Sequence, residues 1–242
     1  MAEARAGGGD GPAGLGLLKA TAPETTAARD RAFVRANTRL VAPPHVPEVR
    51  LHLADEALGL WKKTEELLAR TGLPLPFWAF AWAGGQALAR YLLDHPDLVA
   101  GRSVFDLASG SGLVAIAAAR AGAAAVTASE VDQLAIAAIA LNAETNDVVV
   151  SCTRGDALDG DGAGAEVVLA GDVFYERPMA DRVLPFLERA RARGASVLIG
   201  DPGRAYLPRT RFEALATYEV PVTRATEDAE VKQTTVWQPA WP

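Results

Sequence analysis

A short segment rich in small residues carries the strongest chemical signal in the sequence. An apolar, strand-like run at 103–107 contains Asp106 and is followed by a turn and a helical pattern. The residues of the turn are Ala108, Ser109, Gly110, Ser111 and Gly112. Gly110 and Gly112 allow a ligand to approach the backbone, and the N–H groups at a helix start favour an anionic group. The segment predicts a site for a nucleotide-like cofactor.

Two carboxylates flank this loop. Asp106 lies near the end of the first strand, and Glu130 ends the second strand about 20 residues after Gly110. A carboxylate at the tip of the second strand can accept hydrogen bonds from both hydroxyls of a ribose. We therefore expect Glu130 to bind the ribose of the cofactor.

Two classes of cofactor fit the loop. Gly110, Gly112 and Ala115 satisfy the dinucleotide pattern G-x-G-x-x-A, which leaves an NAD-dependent oxidoreductase as an alternative. A tight turn without a ligand is another. However, the carboxylate of Asp106 would repel a pyrophosphate. S-adenosylmethionine (SAM) carries an ammonium, a sulfonium, a ribose and an adenine but no phosphate, so Asp106 favours SAM.

The histidines and the single cysteine do not form a metal-binding pattern. His45, His52 and His95 lack the spacing of metal ligands, and Cys152 adds no partner to them. We expect no metal site.

The elements around the loop alternate between strands and helices. The strand-like apolar runs lie at 103–107, 125–130, 148–154, 167–171 and 196–201. Helical patterns lie between them: one follows the glycine loop and ends at 120, and two others cover 132–146 and 179–193. This alternation predicts an α/β fold with a doubly wound, mostly parallel sheet. Two further strand-like runs, at 218–222 and 233–237, predict an antiparallel C-terminal hairpin that brings the sheet to seven strands.

The region before the sheet has a different character. Residues 1–30 are rich in Gly, Ala and Pro, which predicts a disordered leader. Residues 31–75 contain helical patterns near 31–40 and 56–70, with an alternating apolar run from Val49 to Leu53 between them. We expect an N-terminal helical cap at 31–75 and a catalytic domain at 76–242.

The composition is that of a globular protein. The 242 residues are 50% hydrophobic and carry a formal net charge of −6, which disfavours nucleic acid as the main partner. No apolar stretch reaches the roughly 18 residues of a membrane span, and the first residues resemble neither a signal nor a transit peptide. We expect a cytoplasmic monomer without a membrane partner.

Six stretches carry a resemblance to a known family. They include the Trp-rich Pro-Phe-Trp-Ala, the glycine loop, Asp-Val-Phe-Tyr and Gly-Asp-Pro-Gly-Arg. Their positions are 46–51, 76–88, 106–112, 171–175, 200–204 and 235–237. On these residues the chain resembles the class I SAM-dependent methyltransferases. Within that class it resembles methyltransferase family 16, the lysine methyltransferases that act on the beta subunit of electron transfer flavoprotein.

The resemblance implies a set of cofactor-binding residues. Asp106 and Gly110 would lie under the methionine part, Glu130 would hold the ribose and Asp156 would face the adenine amino group. The remaining residues of this set are Trp82, Gly84, Ala108, Ser109 and Gly112. Asp156 could instead be a turn residue and Trp82 a core residue. Ala108 departs from the general motif, which usually has Gly at that position.

The acceptor site is implied by residues after the fourth and fifth strands. Asp172 and Tyr175 would bind and orient a lysine, unless Asp172 only caps a turn and Tyr175 only packs. Asp201 and Arg204 would form an ion pair that shapes a loop, with contact to a peptide substrate as the alternative. The resemblance thus implies methyl transfer from SAM to lysines of the flavoprotein beta subunit. A ribosomal protein, a small amine or a non-catalytic SAM-binding role remain alternatives.

Overall fold

The computed structural model describes residues 25–54, 76–222, 227 and 229–241, which form an α/β fold. Its helices are α1 (Thr26–Asn37), α2 (Ala83–Asp94), α3 (Leu113–Arg120), α4 (Gln133–Thr145) and α5 (Arg177–Ala192). Its strands are β1 (Arg39–Val41), β2 (Leu51–Leu53), β3 (Ser103–Leu107), β4 (Ala125–Glu130), β5 (Ser151–Arg154), β6 (Val167–Gly171), β7 (Ser196–Asp201), β8 (Phe212–Pro221) and β9 (Val231–Pro239).

Seven of the strands form one sheet in the order β5-β4-β3-β6-β7-β9-β8. Strands β3 to β7 are parallel, and β9 runs antiparallel to both β7 and β8. The predicted fold class, a mostly parallel seven-stranded sheet with an antiparallel C-terminal hairpin, is therefore confirmed. The strand order reverses between β3 and β6, and the crevice at such a point is where doubly wound sheets bind their ligands.

The sheet is covered on both faces because its central strands bury side chains on both sides. Val104 and Leu169 belong to the core that α2 and α3 complete, whereas Phe105 and Val168 belong to the core that α5 completes. Strands buried in this way consist of continuous apolar runs, which is why their limits could be predicted. Among the residues described, no helix is both long and apolar enough to cross a membrane.

Strand β5 is shorter than the predicted run at 148–154. Asp147 adopts a left-handed φ of 55°, and the amide of Val148 donates to the carbonyl oxygen of Ala143. These residues thus end helix α4, and the side chain of Val149 is 87% exposed. The strand begins only at Ser151.

The C-terminal hairpin is longer than predicted. Strand β8 begins at Phe212 and not near 218, and β9 extends from Val231 to Pro239. A register shift between Ala214 and Ala216 interrupts the pairing, and β8 lies at the sheet edge with mostly half-exposed side chains. The alternation of apolar and polar residues is therefore weak over its first half.

The N-terminal region contains a small sheet as well as a helix. Helix α1 starts at Thr26, within the segment predicted as a leader, and Thr25 caps it by accepting from the amide of Ala28. It ends at Asn37, because Arg39–Val41 pairs with Leu51–Leu53 in an antiparallel two-stranded sheet. The helix predicted at 56–70 and the first 24 residues of the predicted leader lie outside the described residues.

Helix α2 packs backbone to backbone against the sheet. A Cβ built on Gly84 would overlap the carbonyl oxygen of Gly200 in β7 and come within 2.8 Å of the amide nitrogen of Asp172. A Cβ on the adjacent Gly85 would meet only the side chain of Val114, at 3.8 Å. Glycine at 84 thus brings the start of α2 onto the carboxyl ends of β6 and β7.

We predict opposite effects for alanine at these two adjacent glycines. Gly84→Ala should destabilise the protein by about 3 kcal/mol, because backbone atoms cannot move aside as a flexible side chain can. Gly85→Ala should leave stability unchanged or raise it by about 0.5–1 kcal/mol, since alanine is the better helix former. Denaturant unfolding measures both values. Equal losses in the two variants would contradict the close approach at Gly84.

Candidate functional site

The carboxyl ends of β3, β4 and β6 open into one cavity of about 490 Å³. This volume is typical of small-molecule sites, and the cavity lies where the strand order reverses. The sequence-predicted site residues that line it are Trp82, Ala108, Gly110, Glu130, Asp156, Asp172 and Tyr175. Gly84, Asp106, Ser109 and Gly112 do not line it. These four residues instead support residues that line the cavity.

Asp106 holds the glycine loop from behind. Its side chain is buried, and its Oδ2 accepts from the Ser109 hydroxyl at 2.5 Å and from the amide of Ala115 at 3.1 Å. Burial raises the pKa of Asp106 to about 7, although both hydrogen bonds oppose this. The structure thus turns this carboxylate towards the loop and α3. Both donors bind the same oxygen, Oδ2, and the predicted place of Asp106 under the methionine part of the cofactor stays a prediction.

The loop depends on three residues with positive φ. Ala108, Gly110 and Gly112 have φ values of 51°, 57° and 83°. Ala108 adopts this conformation without being glycine, at a cost of about 1 kcal/mol. A Cβ on Gly112 would come within 3.3 Å of the Ile139 side chain, so glycine is also favoured there by packing. Ala108, the departure from the family motif, thus adopts a conformation that glycine would adopt at no steric cost.

Glu130 joins the loop to the cavity wall. Its Oε1 accepts from the amide of Gly110 at 2.8 Å, and its Oε2 accepts from the amide of Val131 at 2.9 Å. Burial raises the pKa of Glu130, against the effect of these amides. The amide of Asp132 also donates to Oε2, at 3.5 Å, whereas Oε1 can accept a second hydrogen bond, so the group can also bind a ligand hydroxyl.

Asp156 lies at the same end of the cavity, in a turn after β5. Its Oδ1 accepts from the amide of Leu158 at 2.9 Å, and its Oδ2 from Arg182 at 2.5 Å. The hydrogen bond from Arg182 lowers the pKa of Asp156, so the side chain is a carboxylate at neutral pH. The hydrogen bond to Leu158 matches the alternative prediction that Asp156 is a turn residue. An adenine contact stays a prediction.

Asp172 lies at the other end of the cavity, directly after β6. Its Oδ1 accepts from Nε of Arg204 at 2.5 Å, and its Oδ2 from the amide of Gly84 at 2.7 Å. Its own amide donates to the carbonyl oxygen of Gly200 at 2.8 Å, and its φ is 60°. Burial raises the pKa of Asp172, whereas Arg204 and the Gly84 amide favour the charged form. The carboxylate is thus fixed by α2 and by the loop that follows β7, while the backbone of the same residue is held by β7.

Aromatic side chains border this end of the cavity. The rings of Phe77 and Tyr175 lie 5.5 Å apart and those of Phe77 and Trp82 lie 6.0 Å apart. Phe77 and Tyr175 are 38% and 40% exposed, so both can contact a ligand. Burial raises the pKa of Tyr175 to about 12, which leaves a neutral phenol. Faces of this kind attract a cationic amine.

The expected ion pair between Asp201 and Arg204 is wrong in its partners. Oδ1 of Asp201 accepts from the backbone amides of Gly203 and Arg204, at 2.6 and 2.7 Å. Because these two amides already occupy Oδ1 of Asp201, the Arg204 guanidinium binds Asp172 and Glu227 instead.

Sequence reasoning missed Glu227 because an acidic residue in a polar connection between two strands usually lies in solvent. Its side chain is 4% exposed in the structure. Phe77 belongs to the Pro-Phe-Trp-Ala stretch that carries the resemblance, but it was not predicted as a site residue. Within the described ranges, no group of three His, Cys, Asp or Glu side chains could hold a metal ion.

Comparison with known proteins gives two kinds of match. The family model for ribosomal protein L11 methyltransferase (PrmA) matches residues 87–171. A solved structure, Thermoplasma acidophilum 1320, aligns with a TM-score of 0.50 and 20% identity, over 64% of this chain and 88% of that one. This likeness shows the fold.

Longer matches come from two vertebrate proteins, both named electron transfer flavoprotein beta subunit lysine methyltransferase. The Xenopus laevis protein is 37% identical over 219 residues, which cover 88% of each chain. The Homo sapiens protein is 34% identical over 217 residues, covering 86% of this chain and 80% of the relative. These alignments cover nearly the whole chain, so they include the residues at both ends of the cavity. The chain belongs to the family of electron transfer flavoprotein beta subunit lysine methyltransferases.

Proposed function

We propose that this protein transfers methyl groups from SAM to lysine side chains of the beta subunit of electron transfer flavoprotein. The observation that carries the proposal is one cavity lined both by Glu130, which ends β4, and by Asp172, which follows β6 two strands further along the sheet. One end suits a ribose, and the other suits an amine. The relatives' names supply the identity of the acceptor protein.

The residues at the Glu130 end fit SAM better than a dinucleotide. The Gly110 amide, which a pyrophosphate would need, already donates to the Glu130 carboxylate. Two carboxylates, Glu130 and Asp156, are available for hydroxyl and amino donors. Apolar side chains such as Leu158 and Met179 line the remaining wall beside them. We therefore propose SAM, and not NAD, as the cofactor.

The acceptor amine approaches from the Asp172 end. When bound, SAM supplies an electrophilic methyl group: the amine lone pair forms the N–C bond, and the electrons of the C–S bond remain on sulfur. The lysine must first lose its proton to water, because its unperturbed pKa is about 10.4. Asp172 and the aromatic faces of Phe77 and Tyr175 orient the amine. Positioning of this kind supplies most of the rate in a transfer that needs little acid–base chemistry.

A ribosomal protein is a weaker candidate for the acceptor. The PrmA match covers residues 87–171, which include Gly110, Glu130 and Asp156 but stop before Asp172. It thus supports the cofactor end of the cavity and not the acceptor end. A cytoplasmic location and a monomeric state stay predictions from the sequence.

The cofactor can be tested by thermal unfolding. SAM at about 100 times its dissociation constant should stabilise the protein by about 2.7 kcal/mol, which raises Tm by about 5–10 °C. NADH should have no effect. Glu130→Gln should reduce the shift caused by SAM, whereas Glu188→Gln, in an exposed ion pair with Arg211, should not. A shift with NADH alone would reject SAM.

Asp172 should affect transfer and not cofactor binding. Asp172→Asn keeps the shape of the side chain but removes its charge, so we expect methyl transfer to fall about 100-fold or more. The SAM-induced shift in Tm should remain. Asp94→Asn, in an exposed ion pair on α2, serves as the control. Equal loss of SAM binding and transfer in Asp172→Asn would place Asp172 at the cofactor instead.

The acceptor is tested by incubating the protein with SAM and purified flavoprotein and measuring intact mass. The beta subunit should gain increments of about 14 Da, the mass of a methylene group, and peptide mapping should locate them on lysines. Asp172→Asn provides the negative control. An unchanged flavoprotein, together with methylation of ribosomal protein L11, would reject the flavoprotein in favour of the ribosomal candidate.

A further inference from the structure

Arg204 connects three separate segments at the acceptor end of the cavity. Its Nε donates to Asp172 at 2.5 Å, and its Nη1 and Nη2 donate to the two carboxylate oxygens of Glu227 at 3.1 and 2.7 Å. The two carboxylate side chains are 6% and 4% exposed, whereas Arg204 is 20% exposed and lines the cavity. Asp172 and Arg204 thus both line the cavity, whereas Glu227 lies behind Arg204 and does not line it.

Charges alternate along this connection. Asp172 is followed by Arg204, then by Glu227 and then by Lys232, whose Nζ lies 3.8 Å from a Glu227 oxygen. Two negative and two positive groups thus alternate. The fork of Arg204 on Glu227 fixes the plane of the guanidinium, so that Nε points at Asp172.

Other titratable groups face this chain of charges. Asp201 lies behind it, and its Oδ2 has no hydrogen-bond partner among the described residues. Burial raises the pKa of Asp201 to about 6. Tyr175, Glu176 and Glu130 lie towards the cavity, and Tyr175 is a neutral phenol.

The reaction requires a neutral amine beside Asp172. A buried carboxylate without a counter-charge favours the protonated form of a neighbouring amine and raises its pKa by about 1–3 units. Such a carboxylate would bind lysine in its unreactive form. Removing the charge of the acid altogether would lose the group that orients the amine. A fixed cation on the same carboxylate resolves this conflict.

We propose that Arg204 is a positioning residue of methyl transfer, which neutralises Asp172 so that this carboxylate orients the acceptor amine without holding it protonated. The proposal rests on lysine methylation as the function of the site. Arg204 acts through Asp172 and takes no part in bond formation. Glu227 holds Arg204 in place and limits its positive charge.

The pH profile of methyl transfer tests this role. Single-turnover rates at saturating SAM and flavoprotein, from pH 6 to 10, report the ionisation of the bound amine on the acid side. Arg204→Gln should move the midpoint of the acid side up by about 1 unit or more, which lowers the rate at pH 7 about tenfold and the rate at pH 10 much less. Arg204→Lys should restore most of the wild-type midpoint.

Two further variants complete the test. Glu227→Gln removes the acid that limits Arg204, so its midpoint should move down, in the opposite direction. The SAM-induced Tm shift reports whether Arg204→Gln is folded. If it is not, Glu227→Gln still tests the proposal by itself. Arg211→Gln is the matched control, because Arg211 pairs with Glu188 at the surface and does not line the cavity. Its midpoint should not change.

The outcomes separate this inference from the proposed function. If the wild-type protein methylates the flavoprotein but Arg204→Gln lowers the rate equally at every pH, Arg204 is only structural and the inference is wrong. An upward shift in Glu227→Gln also overturns it. If the wild-type protein adds no methyl at any pH, the proposed function fails and the inference fails with it.

Discussion

The buried carboxylate of Asp172 is the point on which the acceptor end of the cavity depends. One oxygen accepts from the backbone at the start of α2 and the other from Arg204, while the amide of the same residue binds β7. A charge this deep in the protein is costly unless it is paired and hydrogen-bonded. The close approach of Gly84 to Gly200 brings the Gly84 amide to Asp172 as one of these partners. The packing of α2 on the sheet therefore also determines the position of the Asp172 carboxylate.

The cofactor end and the acceptor end differ in how they are built. The glycine loop, Glu130 and Asp156 all follow neighbouring parallel strands, and the two acids are held by nearby loop amides and, for Asp156, by Arg182 of α5. The acceptor end instead joins α2, β6, the loop after β7 and the connection that contains Glu227. A general cofactor-binding half is thus combined with a half whose contacts come from distant segments.

This difference explains what the sequence could predict. The limits of β3, β6 and β7 were predicted correctly because both faces of these strands are buried. Those of β4 were also predicted correctly, although this strand is only partly buried. The edge strands β5 and β8 were misjudged, since partial exposure weakens their pattern. Asp172 and Arg204 were identified from a resemblance, but neither their pairing nor Glu227 could be found from spacing. Ion pairs between distant segments leave no periodic signal, and the direction of a side chain such as Asp106 depends on donors that only the folded chain brings near.

The position of β9 has a consequence for the order of folding. This strand follows β8 along the chain but lies between β7 and β8 in the sheet, so β8 joins the sheet only through β9. Glu227 lies in the connection between these two strands, so it reaches Arg204 only when β9 has paired with β7. Until the hairpin has docked, Arg204 lacks the carboxylate that holds its guanidinium towards Asp172. Competence for methyl transfer therefore requires the C-terminal hairpin to be in place, although no residue of β8 or β9 lines the cavity.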